Sequence, residues 1–123
     1  MNKLTVRALT PKDVPFVART EHEVFSDAWS ENAILSHLDA QGAIAAVIAE
    51  NDTPIGYLLG LCLTLPEGMP AEGELYRIAV LPKERKKGIG RFVLLRFLDI
   101  LDKMGADVCF LEVRESNTAA RAL

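Results

Sequence analysis

Apolar and polar residues alternate along Leu4-Thr5-Val6-Arg7-Ala8, the two-residue period of a half-buried strand. The period then changes. Thr10-Pro11-Lys12-Asp13 places a hydroxyl, a proline and an acid where a helix entrance uses them, and Val14, Val17, Ala18 and Glu21 carry a helical repeat toward Phe25. Ser26-Asp27-Ala28-Trp29 interrupts that repeat, and Ser30 before Glu31 caps a second short helix reaching Leu38. Residues 43–49 are small and β-branched, which predicts a buried strand. Asn51-Asp52-Thr53-Pro54 predicts a turn, and 55–64 the returning strand of a hairpin. Two prolines and two glycines, with Glu67 and Glu72, predict a loop over 65–73, followed by a strand over 74–81 that Pro82 stops.

Val93, Leu94, Phe97, Leu98, Leu101 and Met104 lie on one face of a helix over 90–104, which Gly105 terminates. A last strand over 107–113 follows, and Ser116-Asn117 opens a further helix to Leu123. The order is β-α-α-β-β-β-α-β-α. The hairpin requires antiparallel pairing, whereas the strand–helix–strand unit from 74 to 113 requires a parallel pair with a right-handed crossover. The expected fold class is therefore α/β, a mixed sheet with helices on its faces. There is no internal repeat and no low-complexity segment.

Composition narrows the function classes. At 123 residues the chain is one domain, and 50% hydrophobic with 25% charged residues is enough for a packed core. A net charge of −3 argues against nucleic-acid binding, which relies on a basic surface. No apolar run reaches the ~20 residues of a membrane span, and Met1-Asn2-Lys3-Leu4-Thr5-Val6-Arg7 lacks a leader's apolar segment. Cys62 and Cys109 sit in apolar stretches and read as small core residues, not as a disulfide, metal set or nucleophile. His22 and His37 lie on helices without metal-ligand partners. The expected setting is a reducing cytoplasm, with no membrane and no metal.

The chemistry concentrates in Arg85-Lys86-Lys87-Gly88-Ile89-Gly90-Arg91, between a strand and an amphipathic helix. Gly88 and Gly90 let backbone approach a ligand closely, the helix start presents unpaired amides, and the cations surround the same opening. Together they suit a pyrophosphate. The loop is neither a P-loop nor a dinucleotide fingerprint, and a solvated basic loop before a core helix explains the same residues.

The stretch Glu74-Leu75-Tyr76-Arg77-Ile78-Ala79-Val80-Leu81-Pro82, followed by Arg85-Lys86-Lys87-Gly88-Ile89-Gly90, resembles the acetyl-CoA-binding motif of the GNAT superfamily of N-acetyltransferases. Leu111-Glu112-Val113-Arg114-Glu115-Ser116-Asn117-Thr118-Ala119-Ala120 resembles a second signature of its RimI-like, ribosomal-protein alanine N-acetyltransferase branch, and Trp29-Ser30-Glu31 is similar to that branch's tryptophan–serine stretch. The resemblance covers most of the chain. It implies acetyl-CoA as cosubstrate, with its pyrophosphate on the backbone from Lys86 to Arg91. It also implies a strand bulge that frees backbone groups around Ile78, Ala79 and Val80 for the pantetheine and thioester, and a contact from Asn117. The counterpart of Trp29 lies near the acceptor groove.

An amine acceptor reacts only after losing a proton. The resemblance places that task on Glu112, with Glu74 occupying the position used by histone-acetylating relatives. A strand-end carboxylate facing solvent, or paired with Arg77 or Arg114, is the plain alternative for each. Relatives continue past this chain's last residues with a tyrosine that protonates the CoA thiolate, and the fold is expected to lack its C-terminal strands here. The strand over 107–113 is then an exposed edge open to homodimer pairing. The expected acceptor is a protein or peptide N-terminus. The alternatives are a small amine or lysine side chain, a non-catalytic acyl-CoA-binding domain, or an unrelated phosphate-binding α/β domain.

Overall fold

The computed structural model describes residues 3–63, 71–84 and 88–111, without the side chains of Ala71 and 106–111. Arg85, Lys86, Lys87, Glu112, Asn117 and the expected terminal helix lie outside the described residues. The elements are β1 (Leu4–Ala8), a 3₁₀ turn (Pro11–Asp13), α1 (Val14–Val24), α2 (Glu31–Asp39), β2 (Ala43–Glu50), β3 (Thr53–Leu63), β4 (Ala71–Val80), a second 3₁₀ turn (Pro82–Glu84), α3 (Ile89–Lys103) and β5 (Ala106–Leu111). They form one sheet in the order β1-β2-β3-β4-β5, antiparallel up to β4 and parallel between β4 and β5. The mixed α/β reading holds, and β5 is the outermost described strand next to β4.

Two boundaries differ from the sequence expectation. Asn51 and Asp52 have φ of 50° and 70°, so they make the whole hairpin turn themselves. Thr53 and Pro54 are thereby released to pair with Glu50 and Ala49. Likewise, β4 begins at Ala71, and Glu72 and Gly73 are strand residues paired with Leu63 and Cys62 instead of loop residues. The reason is packing. A Cβ on Gly73 would come within 2.4 Å of Leu101 Cδ1, so this glycine marks where α3 presses on the strand.

The sheet carries a core on each face. On one face Val93 and Phe97 of α3 pack on Ile44, Ile48, Leu58, Leu75, Ile78 and Val80; on the other Val14 and Val17 of α1 and Ile34 of α2 pack on Val47, Tyr57, Leu59 and Ala79. Cys62 is buried with the first group as a free thiol, and His37 is buried with its Nε2 3.3 Å from the Ile44 carbonyl oxygen. At the α1 entrance, Arg7 donates two 2.8 Å bonds to Asp13, and the Thr10 amide donates a third at 2.9 Å. These bonds, the Arg7 guanidinium first, hold the Asp13 carboxyl well below the usual carboxylate range.

Two predictions follow from this packing. Gly60→Ala would press a methyl to 2.7 Å from Phe97 Cε1 and 2.8 Å from the Glu74 carbonyl oxygen. It should lower stability by about 1–3 kcal/mol in urea denaturation. Because the Asp13 pKa is depressed by folding, its stabilisation is complete above about pH 5 and is lost progressively on acidification. Asp13→Asn should therefore flatten the fall of Tm between about pH 5 and pH 2.

Candidate active site

Strand β4 carries one residue more than its partner. Leu59 pairs with Arg77 and Gly60 with Leu75, which leaves Tyr76 as a β-bulge. Before the bulge, Gly73 and Leu75 face α3, so the pleat turns Glu72 and Glu74 toward the α1–α2 face. The extra residue then puts two neighbours on that same face: the Tyr76 ring meets Trp29 and His37, and the Arg77 guanidinium meets Glu21. Past the bulge, Ile78 and Val80 return to the α3 side and Ala79 to the α1 side.

The bulge also sets the direction of the backbone. The Leu81 amide donates to the Ile55 carbonyl at 2.8 Å, and a Cβ on Gly56 would lie 2.5 Å from the Ala79 carbonyl oxygen. Leu81 and Ala79 thus direct their polar groups at β3. Alternation turns the N–H and C=O of Ile78 and Val80 the other way, toward the side on which β5 pairs. Among the described residues the parallel ladder to β5 runs from Ala71↔Ala106 to Leu75↔Leu111.

At the same end of β4, α3 begins. Gly88 precedes it with φ +75°, a left-handed conformation that favours glycine, and no atom of the described residues lies within 4 Å of where its Cβ would project. The Phe92 amide closes the first turn on the Gly88 carbonyl at 3.1 Å. The amides of Ile89, Gly90 and Arg91 are the first of the helix, without intrahelical acceptors and at the positive end of its dipole. Ile89 is buried and anchors this turn, while Gly90 is half-buried and Arg91 exposed. A left-handed glycine before a helix N-terminus whose first amides have no intrahelical acceptor has the chemistry a pyrophosphate needs, so the described part of the turn fits coenzyme A.

Under the opposite face lies a buried polar network. Glu21 sits on the inward side of α1 and is fully buried. Its Oε1 accepts from the Trp29 amide at 2.9 Å and from Arg77 Nε at 3.2 Å, and its Oε2 accepts from the Tyr57 hydroxyl. Arg77 continues to Asp27, donating to its carbonyl at 2.7 Å and to Oδ1 at 3.1 Å, and its guanidinium carbon lies 4.1 Å from the Phe25 ring centroid. Burial, and then the Glu21 charge, raises the Tyr57 hydroxyl above the ordinary phenol range, so it remains a donor. Removing one partner of such a pair typically costs about 3–5 kcal/mol.

Above this network Trp29, His37 and Tyr76 touch one another, with ring centroids 5.6–6.1 Å apart. Beside them Ala28, Trp29, Ser30, Ala33, Ser36 and His37 line an open recess of about 640 Å³. The Ser30 hydroxyl caps α2 by accepting from the Ala33 amide at 3.1 Å.

Among the residues expected from sequence, Ile78, Val80, Gly88, Ile89, Gly90 and Arg91 gather at the β4–α3 end. Ala79 departs from that expectation, because its backbone is turned to β3 and its side chain is buried under α1. The expected bulge exists, but at Tyr76, just before Ile78. Glu74 lies on the α1–α2 face beside it, and the Arg77 considered as its ion-pair partner is turned instead to Glu21 and Asp27. Sequence reasoning missed the Glu21 network. Its signal was a carboxylate at the inward position of the Val14, Val17, Ala18 repeat.

Comparison with known proteins identifies this arrangement. Residues 10–123 match the acetyltransferase (GNAT) family. The chain belongs to the GNAT acetyltransferase family. It is 30% identical over 119 residues to the [ribosomal protein bS18]-alanine N-acetyltransferase of Escherichia coli K12, covering 97% of this chain and 76% of that one. It is 33% identical over 122 residues to the N-alpha-acetyltransferase RimI of Mycobacterium tuberculosis, covering 98% and 74%. The crystal structure of the ribosomal-protein-S18-alanine N-acetyltransferase from Escherichia coli superposes with a TM-score of 0.79 at 28% identity, over 98% of this chain and 73% of that one. GNAT acetyltransferases use acetyl-CoA as cosubstrate. Among the described residues, no helix is long and apolar enough to cross a membrane.

Gly88→Asp and Gly90→Asp should abolish acetyl-CoA binding in isothermal titration, by strain or steric block and by charge repulsion. Unchanged affinity in both variants would remove the pyrophosphate assignment.

Proposed function

We propose that this GNAT acetyltransferase transfers the acetyl group of acetyl-CoA to a protein N-terminal amine in the cytoplasm, with the N-terminal alanine of a ribosomal protein as the acceptor. The observation that carries the reading is the Tyr76 bulge. It turns the Ile78 and Val80 backbone toward the β5 side and sets Glu74, Tyr76 and the Trp29 wall around the opposite face. The relatives named for alanine N-acetylation support the acceptor class.

In this reading the amides from Lys86 to Arg91 hold the pyrophosphate, with the cations of Arg85, Lys86, Lys87 and Arg91 around it and Asn117 on the far side of the cofactor arm. The Ile78 and Val80 backbone aligns the pantetheine, and an amide near Val80 donates to the thioester oxygen as charge develops there. A carboxylate removes the amine's proton, directly or through water. The nitrogen then bonds to the carbonyl carbon, the C–S bond breaks, and the second proton that the nitrogen sheds on becoming an amide goes, directly or through water, to the thiolate. Glu112 takes the base role by resemblance, and Glu74 is a described carboxylate on the acceptor side. Its i−2 and i+2 neighbours Glu72 and Tyr76 share that face.

The test is free-CoA release with a hexapeptide beginning in alanine, against the same peptide N-blocked and carrying an internal lysine. Turnover of the first alone is expected, and turnover of the second alone would move the acceptor to a lysine side chain. Thermal stabilisation by acetyl-CoA without release on either peptide would leave a binding domain. Glu112→Gln should slow acetylation about 100-fold with acetyl-CoA affinity nearly intact. Equal rates at every pH would pass the base role to Glu74 or solvent.

A further inference from the structure

The acceptor-side wall is held from below by a charge that touches no substrate. Trp29 follows a segment, Ser26–Ala28, that belongs to no helix or strand. Its amide is fastened to Glu21 Oε1, and two residues earlier Asp27 is fastened to Arg77 through both its carbonyl and its carboxylate. Arg77 returns to the same Glu21 oxygen and stands next to the bulged Tyr76 in β4. The Tyr76 ring in turn packs on Trp29 and His37. One carboxylate therefore closes a ring of contacts that runs from α1 through the 26–29 segment to the bulge and back.

We infer that Glu21 is a positioning residue for acceptor recognition: its buried carboxylate fixes Trp29 over the bulge and so sets the shape of the acceptor wall. The inference rests on the proposed transfer to a protein amine. A charged acceptor for the amide suits this task, because charge-assisted bonds in a dry site are stronger and more directional than neutral ones. The Tyr57 hydroxyl occupies the second carboxylate oxygen, which stops the group from rotating away. The coenzyme side of β4 is untouched, since Ile78 and Val80 face α3 and the β5 side.

Trp29 is the chain's single tryptophan, so its emission reports the wall directly. Glu21→Asp keeps the buried charge but draws it back by one methylene from the Trp29 amide and Arg77 alike, and Val17→Ala weakens the same helix without removing a hydrogen bond of the network. In the acetyl-CoA-loaded enzyme, Glu21→Asp should shift Trp29 emission to longer wavelength and raise acrylamide quenching. It should also raise KM for the alanine hexapeptide at least fivefold, with acetyl-CoA Kd within twofold of wild type. Val17→Ala should lower Tm while leaving emission and both constants unchanged. Unaltered emission and KM in Glu21→Asp would overturn the inference, as would equal shifts in Val17→Ala or a parallel loss of acetyl-CoA affinity. If Glu21→Asp does not fold, Asp27→Ala takes its place, with a smaller shift of the same sign expected and no shift overturning the inference. If wild type releases no CoA with the alanine peptide, the proposed acceptor falls, and Trp29 emission and quenching alone decide the positioning role.

Discussion

A carboxylate with no exposure to water must find its solvation inside the protein, and Glu21 finds it in three parts of the chain at once. Tyr57 comes from β3, Arg77 from β4 and the Trp29 amide from the link between the two short helices. Tyr57 and Arg77 lie 36 and 56 residues from Glu21, so the network forms only when α1 lies on the sheet in one register. Sliding or rotating the helix would strand a buried charge. A purely apolar contact would tolerate such movement; this one does not.

That constraint meets the second device of the fold, the bulge at Tyr76. An unbroken strand would send Tyr76 and Arg77 to opposite faces. The added residue lets Arg77 reach the α1 carboxylate while its neighbour packs on Trp29, and it leaves Leu75 and Ile78 both beneath α3. The two sides of β4 thereby acquire separate tasks. Toward α3 and β5 it offers buried side chains and a directed backbone; toward α1 and α2 it offers a carboxylate, an aromatic ring and a buried cation.

Entry to α3 follows the same economy of local cause. Gly88 adopts the left-handed conformation that begins the helix, and Ile89 is driven into the core immediately afterwards, which pins the first turn at the end of β4.

Much was legible along the chain. Alternation and helical repeats placed the strands and helices, because burial on one face imposes its period on the residues themselves. The glycine spacing after a strand marked the turn from which α3 begins. Other features were decided by contacts between distant residues. Gly73 reads as loop punctuation in sequence, yet it is a strand residue because Leu101 occupies the space of its missing side chain. Tyr76 is a bulge because β3 pairs with residues on either side of it, a fact of register that no local pattern records. Glu21 looks like an ordinary helix acid at a core position, and its worth depends on Tyr57, Arg77 and Trp29 arriving around it. Periodicity is a property of one segment and its solvent exposure, and so the chain alone determined it. Register and buried-charge compensation are properties of pairs of segments, and tertiary structure had to decide them.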